Sequence, residues 1–70
     1  MVWVLTCRNK SNSIRYYCKS INYEQWYDCD FLENAYTFAT YEDADAMRKK
    51  LNAICKKNKW YGAYKILCIN

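Results

Sequence analysis

β-Branched and aromatic residues crowd the first part of the chain, and apolar positions recur on a longer, helical period in its second half. Residues 2–8 (VWVLTCR) and 14–21 (IRYYCKSI) are rich in β-branched and aromatic side chains and flank the polar NKSNS. That pattern predicts a β-hairpin with a five-residue loop. Pairing Arg8 with Ile14 sets Thr6 opposite Tyr16 and Val4 opposite Cys18. One face then carries Val2, Val4, Thr6, Ile14, Tyr16 and Cys18, and the other Trp3, Leu5, Cys7, Arg15, Tyr17 and Lys19. The second face mixes aromatics with cations and is the one expected to meet solvent or a partner; a one-residue slip reverses the assignment.

After a turn at Asn22, residues 23–29 (YEQWYDC) are expected to form a third strand, residues 31–35 have room for one helical turn, and residues 36–39 return to extended structure. A helix over roughly 41–57 is better marked. Thr40 is a natural N-cap with Asp43 three positions on, a weaker form of the capping box. Ala44, Met47, Leu51, Ile54, Cys55 and Asn58 fall on one side at 100° per residue. Residues 60–69 (WYGAYKILCI) then close the domain as a last strand, with Gly62 permitting a bulge or a close backbone approach. The expectation is one α+β domain over residues 1–70, a small antiparallel sheet of three to four strands with one amphipathic helix on one face. The opposite face is left open.

Length and composition sharpen this picture. A chain of 70 residues buries only about 60% of the surface that it exposes when unfolded. Eight tyrosines, three tryptophans and two phenylalanines offer more aromatic area than so thin a core hides, and surplus aromatic surface points to a partner. The five cysteines, Cys7, Cys18, Cys29, Cys55 and Cys68, form no C-x-x-C pair and read as reduced core thiols. The start MVWVLTCRNK lacks the basic and long apolar stretches of a signal peptide, and no run of apolar residues is long enough to span a membrane. The chain is expected in the cytosol, where the sequon Asn9-Lys10-Ser11 stays unmodified.

Charge is sorted along the chain. Residues 1–19 carry four basic groups and no acid, residues 20–47 seven acids and no base, and residues 48–70 seven bases and no acid. With no histidine and one glycine, the chain lacks the commonest general base and metal ligand and has no phosphate-cradling loop. Asp28, Asp30 and Glu33 in "DCDFLE" match no calcium loop and read as a solvated turn. Cys55 lies near lysines, but its place on the apolar helix side assigns it to the core. No catalytic residue, metal or cofactor is expected.

Two binding readings remain. A protein-binding module would use hot-spot residue types such as Trp3, Trp26, Tyr27 and Trp60 with polarised charge. A single-stranded nucleic-acid binder would stack bases on Trp3 and Tyr17, with Arg15 and Lys19 on the open sheet face and Lys57, Lys59 and Trp60 at the helix exit. A symmetric homodimer through the open face fits either reading. The hairpin, then "LENAYTFATYEDADAMRKKL", then "YKILCI", resembles small accessory proteins of phages and prophages of low-GC bacteria, some of which are anti-CRISPR or other anti-defence inhibitors. That resemblance, over residues 31–69, implies a non-enzymatic binder of a host nucleic-acid-processing or defence protein. The residues expected to bind are Lys49, Lys50, Lys56, Lys57 and Lys59 with Trp3, Arg15, Tyr17, Lys19 and Trp60. Lys49 and Lys56 share an outer helix ridge with Ala46 and Ala53, whose small side chains permit close approach.

Overall fold

The computed structural model describes residues 1–60 and 62–70. Strands β1 (Val2–Arg8), β2 (Ile14–Asn22) and β3 (Gln25–Cys29) come first. A 3-10 turn (Leu32–Asn34), helix α1 (Tyr41–Asn58) and strand β4 (Lys65–Ile69) follow. The strands form one antiparallel sheet in the order β3-β2-β1-β4. The predicted α+β architecture is therefore present, with the closing strand shorter than expected. Of the predicted strand over 60–69, Trp60, Gly62, Ala63 and Tyr64 are not strand, and Tyr61 lies outside the described residues.

The hairpin register is the expected one, with Thr6 opposite Tyr16 and Arg8 opposite Ile14. Its five-residue loop is tied by the Asn9 side-chain oxygen, which accepts from Ser13 N–H at 3.0 Å, and by Asn12 in a left-handed conformation that asparagine tolerates. The expected Val4–Cys18 pair is not made. β2 carries register shifts against β3 on either side of Lys19 and diverges from β1 beyond Tyr16. Residues 36–38 fill the fork: Tyr36 N–H donates to Tyr17 C=O, and Trp3 and Phe38 exchange both backbone hydrogen bonds at 3.0 and 2.8 Å. A bulge in one strand is thus answered by extended chain from elsewhere, which keeps the freed backbone groups paired.

The helix covers the face that sequence reasoning left open. Leu5 and Tyr17 are 0% and 3% exposed and cluster with Ala44, Leu51 and Cys55 of α1, with Trp3 and Cys7 packed alongside. Both hairpin faces alternate correctly, so side-chain volume decides between them. Trp3, Leu5 and Tyr17 bring more apolar area than the β-branched face, at about 25 cal/mol per Å², while Arg15 and Lys19 sit towards the margins of the sheet. Hairpins close both ends of β2, so the chain leaving β3 reaches the fork only by crossing a face of β2. As the chain leaves β3 the Cys29 thiol donates to Phe31 C=O at 3.5 Å. Exposed aromatics are dispersed, Tyr23 and Phe31 outside the strands, Tyr27 on the edge strand β3 and Tyr41 at the start of α1.

Both ends of α1 follow from sequence. Thr40 Oγ1 accepts from Asp43 N–H at 3.1 Å, a cap that contributes about 1 kcal/mol. Ala44, Leu51, Ile54 and Cys55 are buried as expected, but Asn58 is exposed and turns its amide back to Ile54 C=O. At the C-terminus Lys59 adopts φ 57°, so that its N–H reaches Lys56 C=O and Trp60 N–H reaches Cys55 C=O, the Schellman pattern with lysine where glycine is usual. No helix among the described residues is long and apolar enough to cross a membrane. All five thiols are free, with Cys55 buried, Cys7, Cys18 and Cys29 half-buried, and Cys68 exposed, which removes Cys68 from the expected core set.

Gly62 makes the close approach that its sequence position suggested. Its φ is 97°, and a Cβ there would lie 2.8 Å from Arg8 O. Gly62→Ala should lower unfolding free energy by about 1–3 kcal/mol, whereas Lys59→Gly, which relieves the left-handed lysine, should raise it by up to about 1 kcal/mol. Urea unfolding of the two variants at an unchanged m-value measures both; opposite signs would remove this account of the α1–β4 connection.

Candidate binding pocket

The residues that sequence reasoning selected separate into several environments. Tyr17 is core, its phenol hydrogen-bonded to Ser20 Oγ. Trp3 is half-buried and meets Tyr41 edge-on with ring centres 6.5 Å apart. Lys19 is exposed and pairs along the ladder with Tyr27 at the far strand. The aromatic and basic sheet face proposed to stack nucleic-acid bases is therefore under the helix. Lys49 pairs with Asp45 at 3.2 Å, as its i,i+4 spacing predicts, Lys57 with Glu24 at 2.9 Å, and Lys50 sits over the Tyr23 ring at 4.9 Å. Lys56 and Lys59 are exposed and have no ion pair among the described residues.

Arg15 and Trp60 come together at a concavity of about 520 Å³ between the sheet and the end of α1. Its floor is Cys7 of β1, Arg15 of β2 and Trp26 and Asp28 of β3; Cys55, Trp60 and Tyr64 form the wall. Trp60 is delivered there by the helix cap, which folds the chain back over Cys55. It meets Trp26 edge-to-face with ring centres 5.7 Å apart while remaining 50% exposed. Trp26 in turn meets Tyr64 at 6.3 Å.

A polar chain runs through these rings. Trp26 Nε1–H donates to Tyr64 Oη at 2.8 Å, and Tyr64 O–H donates to Asp28, bridging both carboxylate oxygens at 2.8 and 2.7 Å. Tyr64 is only 4% exposed, and its backbone is held at the other end by Asn52 of α1, which accepts from its N–H at 2.7 Å and donates to its C=O at 3.2 Å. Arg15 donates to the Asp28 backbone carbonyl at 3.1 Å. Its Nε lies 3.0 Å from Asp30 Oδ1, but that N–H is not aimed at the oxygen and has no acceptor among the described residues, so the contact is Coulombic.

Burial dominates the titration of the pocket. Desolvation raises the Asp28 carboxyl above its ordinary value of 3.8, outweighing the Tyr64 hydrogen bond and the nearby Arg15 charge. Burial, reinforced by Asp28, also pushes up the thiols of Cys7 and Cys55, which stay protonated at neutral pH and so are not thiolate nucleophiles. Burial and the Asp28 bond keep Tyr64 a phenol. Asp28, Asp30 and Glu33 do not converge, and no three metal-ligating side chains gather among the described residues.

Sequence reasoning placed Asp28 in a solvated turn and passed over Tyr64 and Asn52. The available signal was parity: in QWYDC, Trp26 and Asp28 share a face, so a carboxylate follows a tryptophan into the core and needs a donor there. Asp28→Asn tests the consequence. Because folding raises the Asp28 pKa, the protonated form favours the folded state, and that contribution is lost as pH rises from below 3.8 through the raised value. The stability of the wild type relative to Asp28→Asn should fall between pH 3 and pH 7 in urea unfolding; a difference that is flat or rises with pH contradicts a half-buried, under-compensated carboxylate. No family model, curated protein or solved structure matches this chain, so no relative's residues can be carried onto the pocket.

Proposed function

We propose that the chain is a non-enzymatic binding protein, a cytosolic inhibitor or accessory factor of the phage type, that docks on a host protein through the end of the molecule where α1 stops. The observation that carries this reading is Trp60. A tryptophan at 50% exposure on a small protein leaves apolar surface in water, and tryptophan is the residue type most enriched among interface hot spots. Here it is held rigidly by the Cys55 backbone bond and by Trp26, so little conformational entropy opposes its burial. Lys56 and Lys59, both exposed and unpaired among the described residues, flank it and supply steering charge.

Tagged wild type, Trp60→Ala and Lys56→Glu are compared in affinity capture from a host-cell lysate, with and without nuclease, after circular dichroism confirms that each variant is folded. One protein should be retained by the wild type after nuclease treatment. Trp60→Ala should weaken its retention by about thirtyfold, the effect of a hot spot of about 2 kcal/mol. Loss of all retained material on nuclease treatment would favour nucleic acid as the partner, and equal retention by Trp60→Ala would remove this end of the molecule from the interface.

A further inference from the structure

The pocket beneath Trp60 is lined by two acids, Glu24 and Asp28, and two cations, Arg8 and Arg15. Among the described residues the acids that form ion pairs are Glu24 with Lys57, Asp30 with Arg15, and Asp45 with Arg48 and Lys49. Asp28 is more enclosed than Asp30, yet no cation lies within ion-pairing distance of its carboxylate among the described residues. The groups facing it are the Tyr64 phenol, the Cys7 thiol of β1, the Cys55 thiol of α1 and the Arg15 guanidinium of β2. Arg15 directs one terminal N–H to the Asp28 backbone carbonyl and none within hydrogen-bonding distance to the carboxylate. Arg8, also at the rim, donates to Asn12 C=O at 3.0 Å in the hairpin loop. Carboxylates withdrawn from water are normally paired; the half-buried Asp28 has spare acceptor capacity facing a cavity of about 520 Å³, within the size range of small-molecule sites.

We propose that this cavity receives an alkylammonium group, carried by a lysine side chain of a protein or by a free primary amine, with its nitrogen on the Asp28 carboxylate and its methylenes against Trp26, Trp60 and Tyr64. Three rings in edge-to-face contact around one carboxylate form the environment that favours a cation through its charge and through the ring quadrupoles. A guanidinium fits less well, because its two-pronged donor needs both carboxylate oxygens from one side and the Tyr64 hydroxyl already bridges them. An ammonium is a point donor and needs only one remaining lone pair. The lysine source rests on the reading of the chain as a binder of protein; the amine source does not.

Tryptophan fluorescence and the Asp28 side-chain carboxyl resonance are followed while n-butylamine, Nα-acetyl-lysine methylamide, the norleucine analogue and the arginine analogue are titrated in at constant ionic strength and neutral pH. The two ammonium probes should bind at least about tenfold more tightly than norleucine and more tightly than arginine, and both should lower the Asp28 titration midpoint. Trp60→Ala, a substitution at a half-exposed site, should weaken both by about tenfold, and Asp28→Asn should abolish the preference over norleucine. Equal binding of norleucine, or an ammonium preference that survives Asp28→Asn, overturns the proposal. Butylamine equal to the lysine probe identifies a free amine as sufficient. A lysine-containing probe that binds about tenfold more tightly identifies a protein source. Ammonium binding without any protein captured from lysate would sustain the pocket while removing the protein-binding reading.

Discussion

The hydrogen bond from Tyr64 to Asp28 is the contact on which the rest of this small protein depends. β4 lies beside β1 at the opposite edge of the sheet from β3, so the phenol of Tyr64, one residue before β4, must lie over β1 and β2 to reach Asp28. In doing so it covers Cys7 and brings Trp26 into the same cluster. At its other end the backbone of Tyr64 is read by Asn52 as a neighbouring strand would read it, one donor and one acceptor. One residue therefore fastens helix, sheet and closing strand, and each of its polar atoms is satisfied. A thin core has few other ways to fix the angle between a lone helix and a sheet, because hydrophobic contact alone specifies little direction.

Two consequences follow for the chain around it. Gly62 must pass against Arg8 O, and Lys59 must take a left-handed conformation to reverse the chain after α1, because only a sharp path takes the backbone from the helix end to the start of β4 in six residues. Both strained positions flank the segment that carries Trp60. The exposed tryptophan is thus a product of the same geometry that seats Tyr64, and the pocket lies in the gap between them.

Local pattern carried much of the architecture. The hairpin register, its five-residue loop, the Thr40 cap and the apolar side of α1 all follow from period and turn chemistry over a few residues. The buried face of the hairpin did not, since alternation defines two faces and says nothing about which one a helix will choose. Leu5 and Tyr17 decided it through volume, while Arg15 and Lys19 on the same parity pointed the other way. The fork filled by residues 36–38 was illegible for a different reason: it depends on an irregularity in β2 and on chain that arrives some twenty residues later. Asp28 and Tyr64, 36 apart in sequence, show the same limit. A polar residue at an apolar parity signals that a partner exists without saying where.

The charge blocks along the chain resolve in the same way. The acids of the first turn of α1, Glu42 and Asp43, and the lysines of its last turn, Lys56 and Lys57, lie where the helix dipole favours them. Folding then sets the middle of the sequence against both basic ends: Lys57 meets Glu24 and Lys50 covers Tyr23, while Arg15 of the first block lies beside Asp30. Exposed pairs of this kind contribute little to stability, about 0–1 kcal/mol each, but they consume the charge that would otherwise advertise a polyanion site along the helix. Of the outer ridge, Lys49 is tied to Asp45 and Lys56 is left beside the exposed Ala53. Among the charges left without an ion pair among the described residues are Lys56 and Lys59 near the end of α1 and the Asp28 carboxylate in the aromatic cavity, a placement that no sorting of charge along the sequence reveals.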